Sequence, residues 1–176
     1  QTGELIRLGI ELCRIMNYLH SFKPNPILYL DLHPGNLLIC REQLKLIDFD
    51  QAALASLSQE RSVCYGTKGF AAPEQYEGGT LDERTDIYAI GALLYYMGTG
   101  HAPEGEIKAG QGSCWGDLYI LMGRCLRTEK KERCQSVREV LEALEKLEAR
   151  IFAERHIPLL RIAVAGSRSG IGVTHT

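Results

Sequence analysis

Three polar residues in the stretch from Ile27 to Gln51, ILYLDLHPGNLLICREQLKLIDFDQ, constrain the fold more than anything else in this chain: Asp31, Asn36 and Asp48. Two short apolar runs, Leu37 to Cys40 and Leu44 to Ile47, lie between the second and the third, separated by Arg41, Glu42 and Gln43. Runs of that length, split by polar residues, predict a small hairpin with a tight turn. Such a hairpin brings Asn36 and Asp48 close together. The set suits magnesium-dependent phosphoryl transfer, which asks little covalent chemistry of the protein. It needs a carboxylate to orient the attacking hydroxyl and oxygen ligands to fix magnesium on the phosphates. Asp31 fits the first task, Asn36 and Asp48 the second. One acidic motif alone would be an ordinary pair of loop carboxylates beside buried strands; chance does not readily supply the ordered set with a hairpin inside it.

On these residues the stretch resembles the catalytic loop and metal-binding loop of the protein-kinase-like family, whose HRDLKPEN and DFG segments read here YLDLHPGN and IDFD. The resemblance implies Asp31 as catalytic base, Asn36 and Asp48 as ligands of magnesium bound with ATP, and Leu38 as an apolar floor under adenine. It also implies departures. Tyr29 and Leu30 replace the usual His and Arg, so the arginine that commonly reads a phosphorylated activation loop is missing. His33 stands in the catalytic loop where the family has Lys, and Asp50 replaces a glycine whose permissive backbone helps the segment change conformation.

Composition agrees with a single globular unit. At 176 residues and 45% hydrophobic, the chain is long enough for a substantial core. A formal charge of -2 gives no reason to expect nucleic acid or an anionic membrane as partner. The six cysteines show no CxxC pair and no His-rich metal spacing, and read as buried free thiols in a reducing compartment. No membrane span and no signal peptide are visible, so the cytoplasm is the default expectation.

Along the chain, Leu5, Leu8, Leu12, Ile15 and Leu19 recur at helical spacing and predict a helix from Thr2 to about Phe22, ended by Pro24 and Pro26. Met16 and His20 beside that stripe read as core or boundary residues. From Asp50 to about Tyr65 the chain is polar and without period; Ser56, Ser58 and Ser62 read as solvated loop residues that could also accept phosphate. Gly66 to Tyr76, GTKGFAAPEQY, resembles the GTxxYxAPE signature of Ser/Thr protein kinases, which places Thr67 near the catalytic Asp and Ala72-Pro73-Glu74 as an anchor.

Thr80 and Glu83 have the spacing of a capping box, before a buried helix that ends near Gly98 or Gly100. In the family the residue matching Asp86 braces the catalytic loop through its backbone, which would satisfy an otherwise expensive buried charge. His101 to Gly112 reads as an abbreviated substrate-docking region. Cys114 to Leu126 predicts another helix, and Ser136 with Glu139 a second capping box before an inward face of Val137, Val140, Leu141, Leu144 and Leu147. The resemblance pairs Arg133 with Glu74. After Pro158, LLRIAVAGSRSGIGVTHT reads as a strand and a glycine-rich turn like the opening of a P-loop module, with Val173 where such a loop needs Lys.

The expected fold is therefore mainly α with small β-hairpin elements: a protein-kinase C-lobe over residues 1–153, followed at 154–176 by a linker and the start of a truncated P-loop-like module. The N-lobe is absent from this chain, which holds no GxGxxG loop, strand lysine or helix glutamate ahead of the catalytic loop. A start at Gln1 on a helical pattern reads as a piece of a longer parent that carries the N-lobe. The expected function is ATP-dependent transfer to protein Ser/Thr hydroxyls, with catalytic Asp31, His33 and Thr67, and with the chain alone inactive because nucleotide on one lobe stays open to water. Two alternatives remain. DLHPGN and IDFD are close to aminoglycoside and choline kinases, which do not share GTKGFAAPE; a pseudokinase or binding scaffold would fit the altered Tyr29, Leu30, His33 and Asp50 but not the retained Asp31, Asn36 and Asp48.

Overall fold

Helix α1, Thr2–His20, forms where the apolar stripe predicts it. Its buried face is wider than that stripe and includes Ile6, Ile10, Cys13 and Met16, while Leu8 and Ile15 are half-buried. The helix stops at His20 rather than at Phe22, and the Ser21 amide closes it on the Asn17 and Tyr18 carbonyls. The computed structural model describes residues 2–58, 66–104, 107 and 114–166, with Ser58, Cys114 and residues 155–166 described by backbone alone.

The core is organised on α4, Glu83–Thr99, where Ile87, Ala89, Ile90, Ala92, Leu93 and Leu94 are all buried. Such burial on every side is the mark of a helix at the centre of a domain. Around it pack α1, α5 (Cys114–Cys125) and α6 (Val137–Gly166). Val137, Val140, Leu144 and Leu147 of α6 are buried as expected, and Leu141 is half-buried. Helix α5 ends one residue before the predicted Leu126.

Between α1 and α4 lie the small strands. The predicted hairpin is β2, Leu37–Cys40, against β3, Gln43–Leu46, with Leu37 opposite Leu46 and Cys40 opposite Gln43. Gln43 belongs to the strand and not to the turn. The turn is Arg41-Glu42, at φ 50° and 64°, the doubly left-handed form whose twist matches the flanking strands. Without an Asn-Gly signature, nothing in the sequence marks that form. A second ribbon was not foreseen: β1, Ile27–Leu28, pairs antiparallel with β4, Ala53–Leu54, which runs into the short α2, Ala55–Ser58. Ser56 is exposed on α2, and Ser62 lies outside the described residues.

The caps differ from expectation in their partners. Asp82, not Thr80, is the N-cap of α4: its carboxylate accepts from the Arg84 amide at 2.9 Å, and Thr85 Oγ1 accepts from the Asp82 amide at 3.3 Å. Aspartate is a strong N-cap, and the box logic holds two residues further along with Thr in place of Glu. At α6, Ser136 Oγ accepts from the Glu139 amide, but the Glu139 carboxylate reaches the Gln135 amide instead of that of Ser136.

Two further expectations are corrected. Cys13, Cys125 and Cys134 are buried free thiols, but Cys40 is exposed on the hairpin. The backbone of 159–166 continues α6 and is not a strand. A short apolar run cannot be told from helix by periodicity, and Leu and Ala prolong a helix well. Of the expected glycine-rich turn, Gly166 is the last residue of α6 and the rest lies outside the described residues, as does most of His101 to Gly112.

Candidate active site

The catalytic-loop candidates sit between β1 and β2, and their backbone is held from the core. Asp86 is fully buried on α4 and accepts from the Tyr29 and Leu30 amides, both at 2.8 Å. It is also 2.8 Å from Nε2 of His20 at the end of α1. Leu30 has φ 66°, a left-handed conformation that an apolar residue keeps only when its surroundings over-determine it. They do: its amide bonds Asp86, and its carbonyl accepts from Gln75 Nε2 at 2.8 Å. Gln75 lies on α3, Pro73–Glu77, and its Oε1 accepts from the Ala72 amide, so one buried amide ties the loop to the APE-like turn.

This bracing leaves Asp31 half-buried with its carboxylate flanked by neutral donors. Thr67 Oγ1 donates to Oδ1 at 3.0 Å, and Asn36 Nδ2 donates to Oδ2 at 3.3 Å and to the Asp31 carbonyl at 3.0 Å. His33 Nε2 stands 3.6 Å from Oδ2. Beside Thr67 the chain packs closely at Gly66, where a Cβ would meet that of Ala71 at 2.3 Å. With the Asn36 amide nitrogen engaged, its oxygen is the group that can serve a cation.

Asp48 follows directly on the hairpin, since the Ile47 amide donates to the Asn36 carbonyl at 3.0 Å. It is exposed at φ 60°, and its Oδ1 accepts from the Asp50 amide at 3.2 Å. Tyr29 joins the two halves. Its hydroxyl donates to the Ile47 carbonyl, and its ring meets Phe49 edge-on with centroids 5.2 Å apart. Burial first, then the charges of Asp31 and Asp48, push its phenol up to about 12, so it remains a donor throughout the physiological range. Leu38 is exposed on the face of the hairpin that also carries Lys45, its cross-strand partner.

Among the described residues no three His, Cys, Asp or Glu side chains form a metal cluster. The oxygens of Asn36 and Asp48 are a donor set that suits magnesium, which keeps water and phosphate oxygens as its other ligands. A cavity of about 710 Å³ lined by Leu5, Leu8, Ile39, Met97 and Trp115 holds none of these groups; of the site residues, Asn36 is buried, Asp31 and His33 are half-buried, and Leu38 and Asp48 are exposed. Sequence reasoning named Asp31, His33, Asn36, Asp48 and Thr67, and missed Gln75 and the tie from His20 to Asp86.

The helical lobe and its bracing of a loop by a buried aspartate define a kinase-like domain. Residues 2–147 match the protein kinase domain family, and the chain belongs to it. It is similar to serine/threonine-protein kinase A of Synechocystis, 28% identical over 80% of this chain and 32% of the relative. It is also similar to integrin-linked protein kinase 1 of Arabidopsis thaliana, 29% identical over 96% of this chain and 37% of the relative. The DNA damage-responsive serine/threonine-protein kinase RqkA of Deinococcus radiodurans is 37% identical over 51% of this chain and 14% of its own length. The chain thus spans about a third of the length of the first two relatives. Among the described residues no helix is long and apolar enough to cross a membrane.

Proposed function

We propose that this chain carries the base and the metal-ligand edge of a Ser/Thr protein kinase active site, with Asp31 as the general base. The observation that supports this most is the Asp31 carboxylate, held by Thr67 and Asn36 on a loop whose amides are fixed by buried Asp86. In this reading Asp31 accepts the proton of a protein Ser or Thr hydroxyl as that oxygen attacks. Thr67 and Asn36 keep the carboxylate aimed, and His33 adds an N–H beside it. Asn36 and Asp48 hold magnesium, which when bound with ATP neutralises charge on the phosphates. Leu38 offers adenine an apolar surface.

Similarity to named Ser/Thr kinases favours a protein hydroxyl over a small alcohol, and so does the buried pair of Glu74 with Arg133 behind the APE-like turn. Charge on an exposed site is weakly focused, so the chain by itself binds nucleotide weakly and transfers little. A further lobe covering the open face would complete the site.

The test is transfer from γ-labelled ATP by the polypeptide as its native cell makes it, against Asp31→Asn. Loss of a positioned base lowers turnover by roughly 10²–10⁴-fold with nucleotide binding retained. Unchanged transfer by Asp31→Asn would refute the base assignment. Label appearing on choline or an aminoglycoside, but not on protein, would refute the substrate class.

A further inference from the structure

Gln75 is buried, and both ends of its amide are committed to backbone. Nε2 donates to the Leu30 carbonyl at 2.8 Å, and Oε1 accepts from the Ala72 amide at 3.0 Å. A carbonyl only accepts and a backbone N–H only donates, so its partners settle which way the amide points. The bond to Ala72 is the reach-back of a third-position glutamine to the amide that opens a helix. The bond to Leu30 leaves the helix and crosses 45 residues to the catalytic loop.

The Leu30 carbonyl belongs to the peptide bond that carries the Asp31 nitrogen. Asp86 holds the other side of Leu30, through its amide. Between these two bonds Leu30 is kept at φ 66°, a region an apolar residue leaves when its restraints are removed. Without a donor on its carbonyl the peptide turns as Leu30 relaxes, and the Asp31 side chain turns with it.

The segment that carries Gln75 also holds the carboxylate. Thr67 donates to Asp31 Oδ1 at 3.0 Å, and the Thr67 carbonyl accepts from the Phe70 and Ala71 amides at 2.9 and 3.0 Å, in the turn that leads to Ala72. The Gln75 amide lies against the bare α-carbon of Gly66, where a Cβ would stand 3.0 Å from Nε2. Thr67 thus meets the side chain of Asp31 while Gln75 meets its peptide. We propose that Gln75 is a positioning residue for the base, fixing the Leu30–Asp31 peptide so that the carboxylate meets Thr67 in the pose that receives a substrate hydroxyl. This rests on the reading of Asp31 as general base above.

Gln75→Met keeps the bulk of the side chain and removes both bonds. In the native polypeptide without nucleotide, hydrogen exchange at Tyr29 and Leu30 is expected to quicken while α4 stays protected. Unchanged exchange at those two amides overturns the proposal, and so does lost protection throughout α4, which would make Gln75 a general support of the lobe. In transfer from γ-labelled ATP to casein, kcat should fall by roughly 10²-fold, the cost of an ångström-scale misplacement. The KM for ATP should hold, because Leu38 and Asp48, which face the nucleotide in that reading, stand on the hairpin and beyond it. An unchanged kcat, whatever the KM, overturns the proposal. Thr67→Val combined with Gln75→Met should lose less than the product of the two single losses, since both act on one carboxylate; a full product overturns it. If Asp31→Asn transferred normally, the function reading would fail while the exchange result stood. If Asp31→Asn lost transfer and Gln75→Met did not, this proposal alone would fail.

Discussion

Replacing Arg133 with methionine should be among the most damaging single changes available to this chain. The Arg133 side chain is fully buried, and all five guanidinium donors are used. Two meet the Glu74 carboxylate at 2.8 Å each, and the others reach the carbonyls of Arg127, Arg84 and Thr128. Its guanidinium also lies 5.1 Å from the centre of the Tyr88 ring. Arg133→Met strips these bonds and leaves Glu74 buried with, among the described residues, Thr85 as its remaining side-chain donor, at 3.0 Å. Breaking a buried pair from one side costs about 3–5 kcal/mol, against a total stability of about 5–15 kcal/mol. With a urea dependence of about 2 kcal/mol per molar, the unfolding midpoint should fall by about 2 M.

Acid should narrow that gap. Burial raises the Glu74 carboxyl, but its bonds to Arg133 and that charge outweigh burial and hold it below its ordinary value of 4.5. In the parent, the pair's contribution is complete above about pH 4.5 and is lost as pH falls through the lower folded value. In Arg133→Met burial is opposed only by a backbone bond and by Thr85, so the Glu74 carboxyl rises from its value in the parent and the variant lacks the stability that the parent gains as pH rises. Urea titrations at pH 7 and pH 4 measure both effects. Adding Glu74→Gln to Arg133→Met should recover about 1–3 kcal/mol, since the uncompensated charge is then gone. A loss under about 1 kcal/mol, or a gap independent of pH, would refute the argument.

Three other changes probe separate contacts. Asp86→Asn removes one acceptor oxygen from the Tyr29, Leu30 and His20 bonds, so amide exchange at Tyr29 and Leu30 should quicken and stability fall by about 1–3 kcal/mol; unaltered protection would show that the loop holds itself. Asp82→Ala should cost about 1 kcal/mol at pH 7. Against burial, which raises it, bonds from Arg84 and Lys130 push the Asp82 carboxyl down to about 2, so the difference from the parent should fade as pH falls from 3.8 toward 2 in thermal melts. Arg41-Glu42 changed to Asn-Gly suits the doubly left-handed turn and should raise the melting temperature by about 1–3 °C; a decrease would argue against that turn geometry.

The sequence announced the site better than it announced what supports the site. Asp31, Asn36 and Asp48 were legible because each requires a particular chemical group at a particular spacing, and the hairpin between them has a clear apolar pattern. Asp86 and the pair of Arg133 with Glu74 were legible only through resemblance, since no local rule tells a buried charge from an exposed one. Gln75 and His20 escaped because their partners lie 45 and 66 residues away. The β1 with β4 ribbon escaped for a similar reason: strands of two residues have no periodicity to read. At the caps, several candidates stood within a few positions and backbone geometry chose among them. Beyond Pro158 the apolar run fitted strand and helix equally well.

Asp31 and Asp48 answer to different parts of the molecule. The first stands on a peptide segment clamped by Asp86 of α4 and Gln75 of α3, so Asp31 cannot wander without disturbing the helices that make the lobe. The second sits at the exposed end of a two-stranded ribbon, where its side chain touches the Asp50 amide. Small changes at 47–50 can therefore reshape the surroundings of Asp48 with little penalty to folding, whereas a new geometry for Asp31 would require rebuilding the interior.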